Sequence, residues 1–394
     1  MARIVILSPF APPADGIGEH TRNLVNAFVQ EGQECIIIAP ESGSNQALKF
    51  IGFRSGDKTV QVPVLRVLGP FGSQRAWREL RRFEPDLIYT QFAISSFGSS
   101  IFSLLSVLRK AQKQKLQCIS GFHESAREFN ILGPISRMIY RAGAKSTNQA
   151  ISFSTAGFDA LTASGLFANE GRVWKLPHGT SEPQALPEDL IASVRLKYHL
   201  EKPTILVLGF VHPDKGSDIL LDAAQAISAG QRGEVRFLFA GMPRKSRGIF
   251  RVMGRADVKY DKALRKQSAN ELKTLDISFA PYVPDADVVA LLKEAAMVVL
   301  PYRRSTQSGI ANLALASGAL IIASDLPGLK SDLGDCAEYF SGSPQDLAEV
   351  IKSRLSEGCT LENLELRAKS MQRARSQSYR RVATEILTIA GVCP

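Results

Sequence analysis

Short apolar bursts recur along this chain, separated by stretches whose apolar residues return every three or four positions. The bursts have the length of buried strands and the spaced stretches that of amphipathic helices. The pattern predicts strand Arg3–Ser8, helix Thr21–Gln30, ended by Gly32, and strand Cys35–Ala39. Helix Arg75–Phe83, strand Leu87–Gln91, helix Ile101–Gln112 and strand Gln117–Gly121 follow. Helix Ile135–Ala144 and strands Ala150–Phe153 and Val173–Leu176 complete a first series. A second series begins with strand Thr204–Gly209, helix Asp218–Ile227, strand Val235–Ala240 and helix Tyr260–Leu275. It continues through strand Ile277–Val283, helix Asp287–Ala295, strand Met297–Leu300, a helix carrying Ile310, Leu313 and Ala314, and strand Leu320–Ala323. Ser343–Leu355 and Leu364–Ile389 read as terminal helices.

Strands alternating with helices imply parallel sheets covered on both faces. The fold class is therefore α/β, with two tandem Rossmann-like, doubly wound domains. Residues 1–182 are expected to form the first and 203–375 the second. Residues 376–394 form a terminal helix that could pack back on the first domain. The polar, proline-bearing stretch Ser181–Lys202 reads as the junction. Open parallel sheets bind ligands beyond the carboxyl ends of their strands, so the expected site is a cleft between the domains.

Composition narrows the class. The 394 residues suffice for two domains, and 45% hydrophobic against 22% charged describes a globular protein. A net charge of +10 favours an anionic partner: a phosphorylated substrate, a membrane surface or nucleic acid. Nucleic acid ranks last, because charge alone supports it. The five cysteines lack CxxC spacing and read as reduced, mostly buried thiols. The opening MARIVILSPF reads as a strand rather than a leader, and the apolar run Ala93–Leu108 as a buried helix. A cytoplasmic protein is expected. The basic clusters Arg75–Arg82 and Arg109–Lys115 could meet the anionic inner face of a membrane, or could be solvated helix faces.

Candidate chemistry was sought just after strands. Gly16, Ile17 and Gly18 follow the first strand, where glycines let backbone N–H groups approach a ligand. The spacing is not GxGxxG, since Thr21 holds its last position, and only Glu41 follows the second strand as an acid; a dinucleotide fingerprint is not expected. His123 and Glu124 follow strand Gln117–Gly121, and a histidine there could exchange a proton with a sugar hydroxyl or simply close a turn. The histidines show neither i, i+4 pairing nor HExxH, so no histidine metal site is expected. In GFVHPDKGS, Gly209–Ser217, Lys215 could reach a phosphate, with His212 a second donor and Ser217 an N-cap. Arg303, Arg304, Ser305, Thr306 and Gln307 precede Ser308 and Gly309, which open a helix whose amides suit an anion. Asp285 and Asp287 form a nominal DxD, read as helix-capping acids rather than metal ligands.

Taken together, PPADGIGEHTRNL, RVWKLPHG, GFVHPDKGSDILLDA, the AxAxG ending at Gly318 and PGLKSDLGDCAEYF resemble the GT-B retaining glycosyltransferases. The group is glycosyltransferase family 4-like and includes bacterial cell-wall and capsule sugar transferases. The resemblance implies transfer of a hexose from a nucleoside-diphosphate sugar to a glycan, lipid-linked or small-molecule acceptor, without a metal or other cofactor. By position it implies that Gly16, Ile17 and Gly18 face the sugar and diphosphate, and that His123 contacts the donor sugar. Lys215 would neutralise the leaving diphosphate, with Arg303 beside it, and 305–309 would hold it through backbone amides. Tyr282 and Val283 would flank the base. The group's paired glutamates are replaced by Ser305 and Leu313, its usual arginine by Phe210, and a frequent glutamate by Ser331. Leucine cannot bind a ribose diol, which leaves Asn312 or backbone for that task. The departures sustain an alternative, a non-catalytic GT-B binding or activating subunit. A phosphorylase would need a pyridoxal-binding lysine site, and none stands out.

Overall fold

The computed structural model describes residues 1–10, 16–41, 49–55, 58–123, 125–167, 171–228, 235–243, 251–305, 308–357 and 361–392. The chain divides into two units, Met1–Gly179 joined by Gln377–Pro394, and Thr180–Ser376. In the first lie β1 (Arg3–Leu7), α1 (Gly16–Gln30), β2 (Glu34–Pro40), β3 (Lys49–Ser55), β4 (Lys58–Leu68), α2 (Ser73–Phe83) and β5 (Leu87–Phe92). Then come α3 (Ile94–Phe97), α4 (Ile101–Lys113), β6 (Gln117–Phe122), α5 (Ser125–Lys145), β7 (Gln149–Ser152), α6 (Thr155–Ala163) and β8 (Val173–Lys175). Its sheet runs β3-β4-β2-β1-β5-β6-β7-β8, parallel except for β3, which pairs antiparallel with β4.

The second unit contains α7 (Glu188–Tyr198), β9 (Thr204–Leu208), α8 (Ser217–Ser228), β10 (Arg236–Ala240), α9 (Arg251–Glu271), β11 (Asp276–Ala280), α10 (Asp285–Glu294) and β12 (Met297–Leu300). It ends with α11 (Gly309–Ser317), β13 (Ile321–Ser324), α12 (Pro327–Leu333), β14 (Ala337–Phe340), α13 (Pro344–Glu357) and α14 (Leu361–Ser376). The sheet order is β11-β10-β9-β12-β13-β14, parallel throughout. The last helix, α15 (Tyr379–Ala390), belongs to the first unit.

Strand periodicity explains the layering. In β1 the side chains of Ile4 and Ile6 enter one core with Phe28 of α1 and Val382, Ile386 and Leu387 of α15. Val5 and Leu7 enter the opposite core with Leu80, Leu104, Leu108 and Tyr140. Both faces are therefore apolar, as a doubly wound sheet requires. Each fully buried side chain of this size contributes roughly 1.5–3 kcal/mol.

Local chemistry accounts for differences from the expected elements. Helix α5 begins at Ser125 rather than Ile135 and breaks at Gly133, whose φ is 52°, just before Pro134. The expected helix Leu364–Ile389 is two helices, and Ser378 caps the second by accepting from the Arg381 amide at 3.3 Å. The junction stretch holds α7, whose Val194 and Tyr198 are buried in the second unit. Cys35, Cys118 and Cys336 are buried free thiols, and burial pushes Cys118 up to about 12 and Cys336 to about 11. Cys359 and Cys393 lie outside the described residues. Among those residues no helix is long and apolar enough to cross a membrane.

A glycine fixes the end of β10 in the second unit. Gly241, at φ 150°, would place a Cβ 1.7 Å from the carbonyl oxygen of Gly209. Gly241→Ala is expected to destabilise this unit by more than about 2 kcal/mol, from steric and backbone strain together. Gly32→Ala, at φ 76° with open space around it, should cost only about 1 kcal/mol. Chemical denaturation of both variants checks the contrast, and equal losses would contradict it.

Candidate functional site

Chemistry gathers at the carboxyl ends of strands in each unit, and each cluster is described by itself. In the second unit β9 ends at Leu208, and the chain passes through Gly209 to a 3₁₀ turn, Pro213–Lys215. Gly216 closes that turn in the left-handed region at φ 61°, where a Cβ would lie 1.8 Å from the Pro301 carbonyl oxygen. This close approach carries the turn against the loop after β12. The Lys215 ammonium then rests 3.5 Å from the centroid of the Tyr302 ring. Tyr302 is buried, and its hydroxyl lies 3.1 Å from Ser308 Oγ. Ser308 caps α11, its Oγ accepting from the Ala311 amide at 3.2 Å.

The amides at this helix start divide into used and unused. Ser308 N–H donates to Asp332 Oδ2 at 3.1 Å, and Asn312 N–H to the Ser308 carbonyl at 3.2 Å. The N–H groups of Gly309 and Ile310 have no partner among the described residues. Ile310 also lies close to Gly209, its side chain 3.4 Å from where a Cβ there would stand. Lys215, Gly209 and two unpaired amides thus share one end of the sheet, an arrangement suited to a polyanion.

Arg303, expected beside the diphosphate, forms a two-pronged pair with Asp218, 2.7 Å at each contact, and donates to the Pro213 carbonyl at 3.0 Å. Burial works against charge on Asp218, but hydrogen bonds from Arg303 and Tyr260 hold its carboxyl below the usual range. Through these contacts Arg303 braces the Lys215 turn. Asp332 was not anticipated. Burial pushes its carboxyl up to about 7. Its position next to Ser331, where the related group often has a glutamate, was the available signal.

The remaining expectations fall as follows. Tyr282 is exposed and Val283 buried, both following β11. His212 is half-buried and precedes the 3₁₀ turn, Ser305 is half-buried, and the Asn312 side chain is buried. Gly309 is exposed, Leu313 packs on the core, and Phe210 is exposed. Thr306 and Gln307, with Glu124 of the first unit, lie outside the described residues. Asp285 and Asp287 stand in the first turn of α10, but neither caps it. Pro284 is the cap residue, and Asp287 binds Lys197 at 2.6 Å and the Tyr198 hydroxyl at 3.1 Å. Among the described residues no cluster of three or more His, Cys, Asp or Glu side chains is arranged to hold a metal ion.

In the first unit, Gly16, Ile17 and Gly18 are the first turn of α1 rather than a loop before it. Gly18 is buried. His123 follows β6 and joins two histidines that sequence spacing does not connect. Its ring centroid lies 5.0 Å from that of His20 and 6.0 Å from that of His178, with Phe153 packed among them. Burial lowers the proton affinity of all three, His178 to about 4 and the others well below the ordinary range. They are neutral imidazoles near pH 7.

Residues 202–357 match the family described as "Glycosyl transferases group 1", and residues 14–179 match "Glycosyltransferase Family 4". No curated protein sequence matches the chain. Among solved structures, sucrose-phosphate synthase from Thermosynechococcus elongatus is 16% identical, with a TM-score of 0.71 over 99% of this chain and 98% of that one. HepE of Anabaena, in complex with UDP and glucose, is 14% identical, with a TM-score of 0.68 over 98% of each chain. The trehalose-6-phosphate protein of E. coli, bound with UDP-2-fluoro glucose, is 14% identical, with a TM-score of 0.68 over the full length of both. At these identities the likeness is one of fold.

The titrating groups of the two units act with opposite sign. Because the folded histidines bind protons more weakly than unfolded ones, stability present above pH 6.5 is lost as pH falls toward about 4. Asp332 binds its proton more tightly when folded, so its contribution is present below pH 3.8 and lost as pH rises through about 7. Asp332→Asn should flatten the loss of second-unit stability across that upper window. Denaturant midpoints from pH 4 to 8 measure it, and an unchanged slope would remove Asp332 as its source.

Proposed function

Because the chain belongs to the GT-B glycosyltransferases of the family 4-like group, we propose that it transfers a hexose from a nucleoside-diphosphate sugar to a hydroxyl acceptor. The acceptor is a glycan, a lipid-linked sugar or a small molecule. The reading rests chiefly on one observation: Lys215 on the Tyr302 ring, beside the unpaired Gly309 and Ile310 amides. In this proposal those donors bind the diphosphate and strengthen their hold as the bond from the anomeric carbon to its phosphate oxygen breaks. The acceptor oxygen attacks from the same face, giving retention, and its proton passes to the departing phosphate. Lysine and helix amides supply the charge stabilisation that a divalent ion provides in other transferases. The nucleotide base sits near Tyr282, and the ribose is held by backbone and Asn312 in place of the replaced glutamate. The Anabaena structure holds UDP and glucose, which puts UDP-glucose first among donors to test.

Leu313 packed on the core, with serine at 305, favours one second reading: a GT-B subunit that binds or activates without catalysing transfer. Calorimetry and nucleotide release with UDP-, GDP- and ADP-sugars separate the two. Binding without release supports the subunit; neither binding nor release defeats both.

Two outcomes are expected. Lys215→Ala should lower turnover by about 10²-fold or more, with activity of the parent insensitive to EDTA; a near-parental rate would take Lys215 out of the site. We further propose that the basic face bearing Arg78, Arg81, Arg82 and Lys110 meets anionic lipid, with Phe71 and Phe102 exposed on the same unit. Each basic residue there would contribute about 1 kcal/mol. Sedimentation with phosphatidylserine vesicles should fall for the triple variant Arg78→Glu, Arg81→Glu, Arg82→Glu, while neutral vesicles bind neither protein. Equal sedimentation of parent and variant would dismiss this face.

A further inference from the structure

The three histidines of the first unit are joined by a directional chain of hydrogen bonds. It starts at the backbone carbonyl of His178, which can only accept. His20 Nε2 lies 2.8 Å from that oxygen and therefore carries a proton. A neutral His20 then presents a lone pair at Nδ1, and Gln91 Nε2 stands 2.9 Å away to donate to it. The Gln91 amide is thereby oriented with Oε1 on its other side. Oε1 lies 2.5 Å from His123 Nε2, which must donate. Reversing the amide would require protons on both nitrogens of His20, an imidazolium buried against Phe153 and two other histidines. Each tautomer follows from the one carbonyl at the start.

The surroundings hold this chain rigid. Gln91 and His20 are buried, and Gln91 pairs with Gly121 across β5 and β6. A Cβ at Gly121 would meet the Tyr89 hydroxyl at 2.6 Å, Phe153 at 2.9 Å and Gln91 Oε1 at 3.3 Å, so glycine keeps the amide in place. With its proton on Nε2, His123 is left a lone pair on Nδ1, and that nitrogen has no partner among the described residues.

We propose that Gln91 is a positioning residue: anchored by His20, it fixes His123 as the Nε2–H tautomer, so that His123 meets its ligand as an acceptor. Such a nitrogen selects a group that donates, a sugar hydroxyl, and rejects the oxygens of a diphosphate diester, which carry no proton at neutral pH. The inference deepens the glycosyltransferase reading and rests on it for the identity of the ligand, though not for the tautomer.

Two-bond ¹H–¹⁵N correlation spectra of the labelled protein at pH 7.5 test the tautomer directly. The expected result is a protonated Nε2 and a bare Nδ1 on both His20 and His123; a His123 protonated at Nδ1 overturns the proposal, with no variant needed. Gln91→Leu should release His123 into a mixture of tautomers, whereas Gln91→Glu, whose carboxylate only accepts, should drive His20 toward the doubly protonated form. A His123 spectrum unmoved in both variants also overturns it. Methyl α-glucoside should shift His123 Nδ1, and inorganic sulfate, which carries no proton at this pH, should not; the reverse pattern defeats the selection. With UDP-glucose, Gln91→Leu should lower kcat/KM by about 10- to 100-fold. The spectra require no turnover, so failure of every donor would sink the transferase reading and leave Gln91 standing. Transfer by a protein whose His123 is protonated at Nδ1 would do the opposite.

Discussion

The two-pronged pair between Arg303 and Asp218 organises one end of the second unit's sheet. It joins the loop after β12 to the start of α8, and through the Pro213 carbonyl it fastens the 3₁₀ turn as well. Without that fastening, Lys215 would be a long side chain on a surface turn, with most of its rotamers open to it. With it, the ammonium is held over one aromatic ring whose hydroxyl reaches the cap of α11. A cation held in place in this way has little freedom left to lose on meeting an anion.

The two units divide their electrostatics. The second offers a cation and unpaired amides, while the first gathers three imidazoles that burial keeps uncharged. Neutral rings can distinguish donors from acceptors without attracting anions indiscriminately. A chain carrying +10 overall would bind polyanions anywhere if all its basic groups were equally available, so placing neutral polar groups at one strand end confines that attraction.

Much of the fold was legible in the chain because both sheets are buried on two faces. Runs such as Ile4–Leu7 and Met297–Leu300 admit few other readings, and their spacing gives the βα alternation. β3 and β4 escape this reading, because Val60, Val62 and Val64 of β4 alternate with Gln61 and Pro63 instead of forming a continuous apolar run. Lys215 and the start of α11 were legible because glycine and small polar residues mark loop-to-helix transitions. The commitment of Arg303, the partner of Ser308 and the gathering of His20, His123 and His178 were not. Each depends on residues separated by more than twenty positions that only the folded register brings together.

Helix α15 gives the architecture a temporal asymmetry. Its Val382, Ile386 and Leu387 complete the core beneath α1, and its Tyr379 ring lies 5.5 Å from that of His20. The first unit is therefore built from two separate stretches of the chain, with the sequence of the second unit lying between them. A ribosome delivering the chain from its amino end releases every residue of Thr180–Ser376 before the earlier unit receives its final helix. The face that α1 covers in part must wait for the rest of its cover until a segment translated nearly two hundred codons later. Chaperone demand during translation should accordingly fall on the half that emerges first.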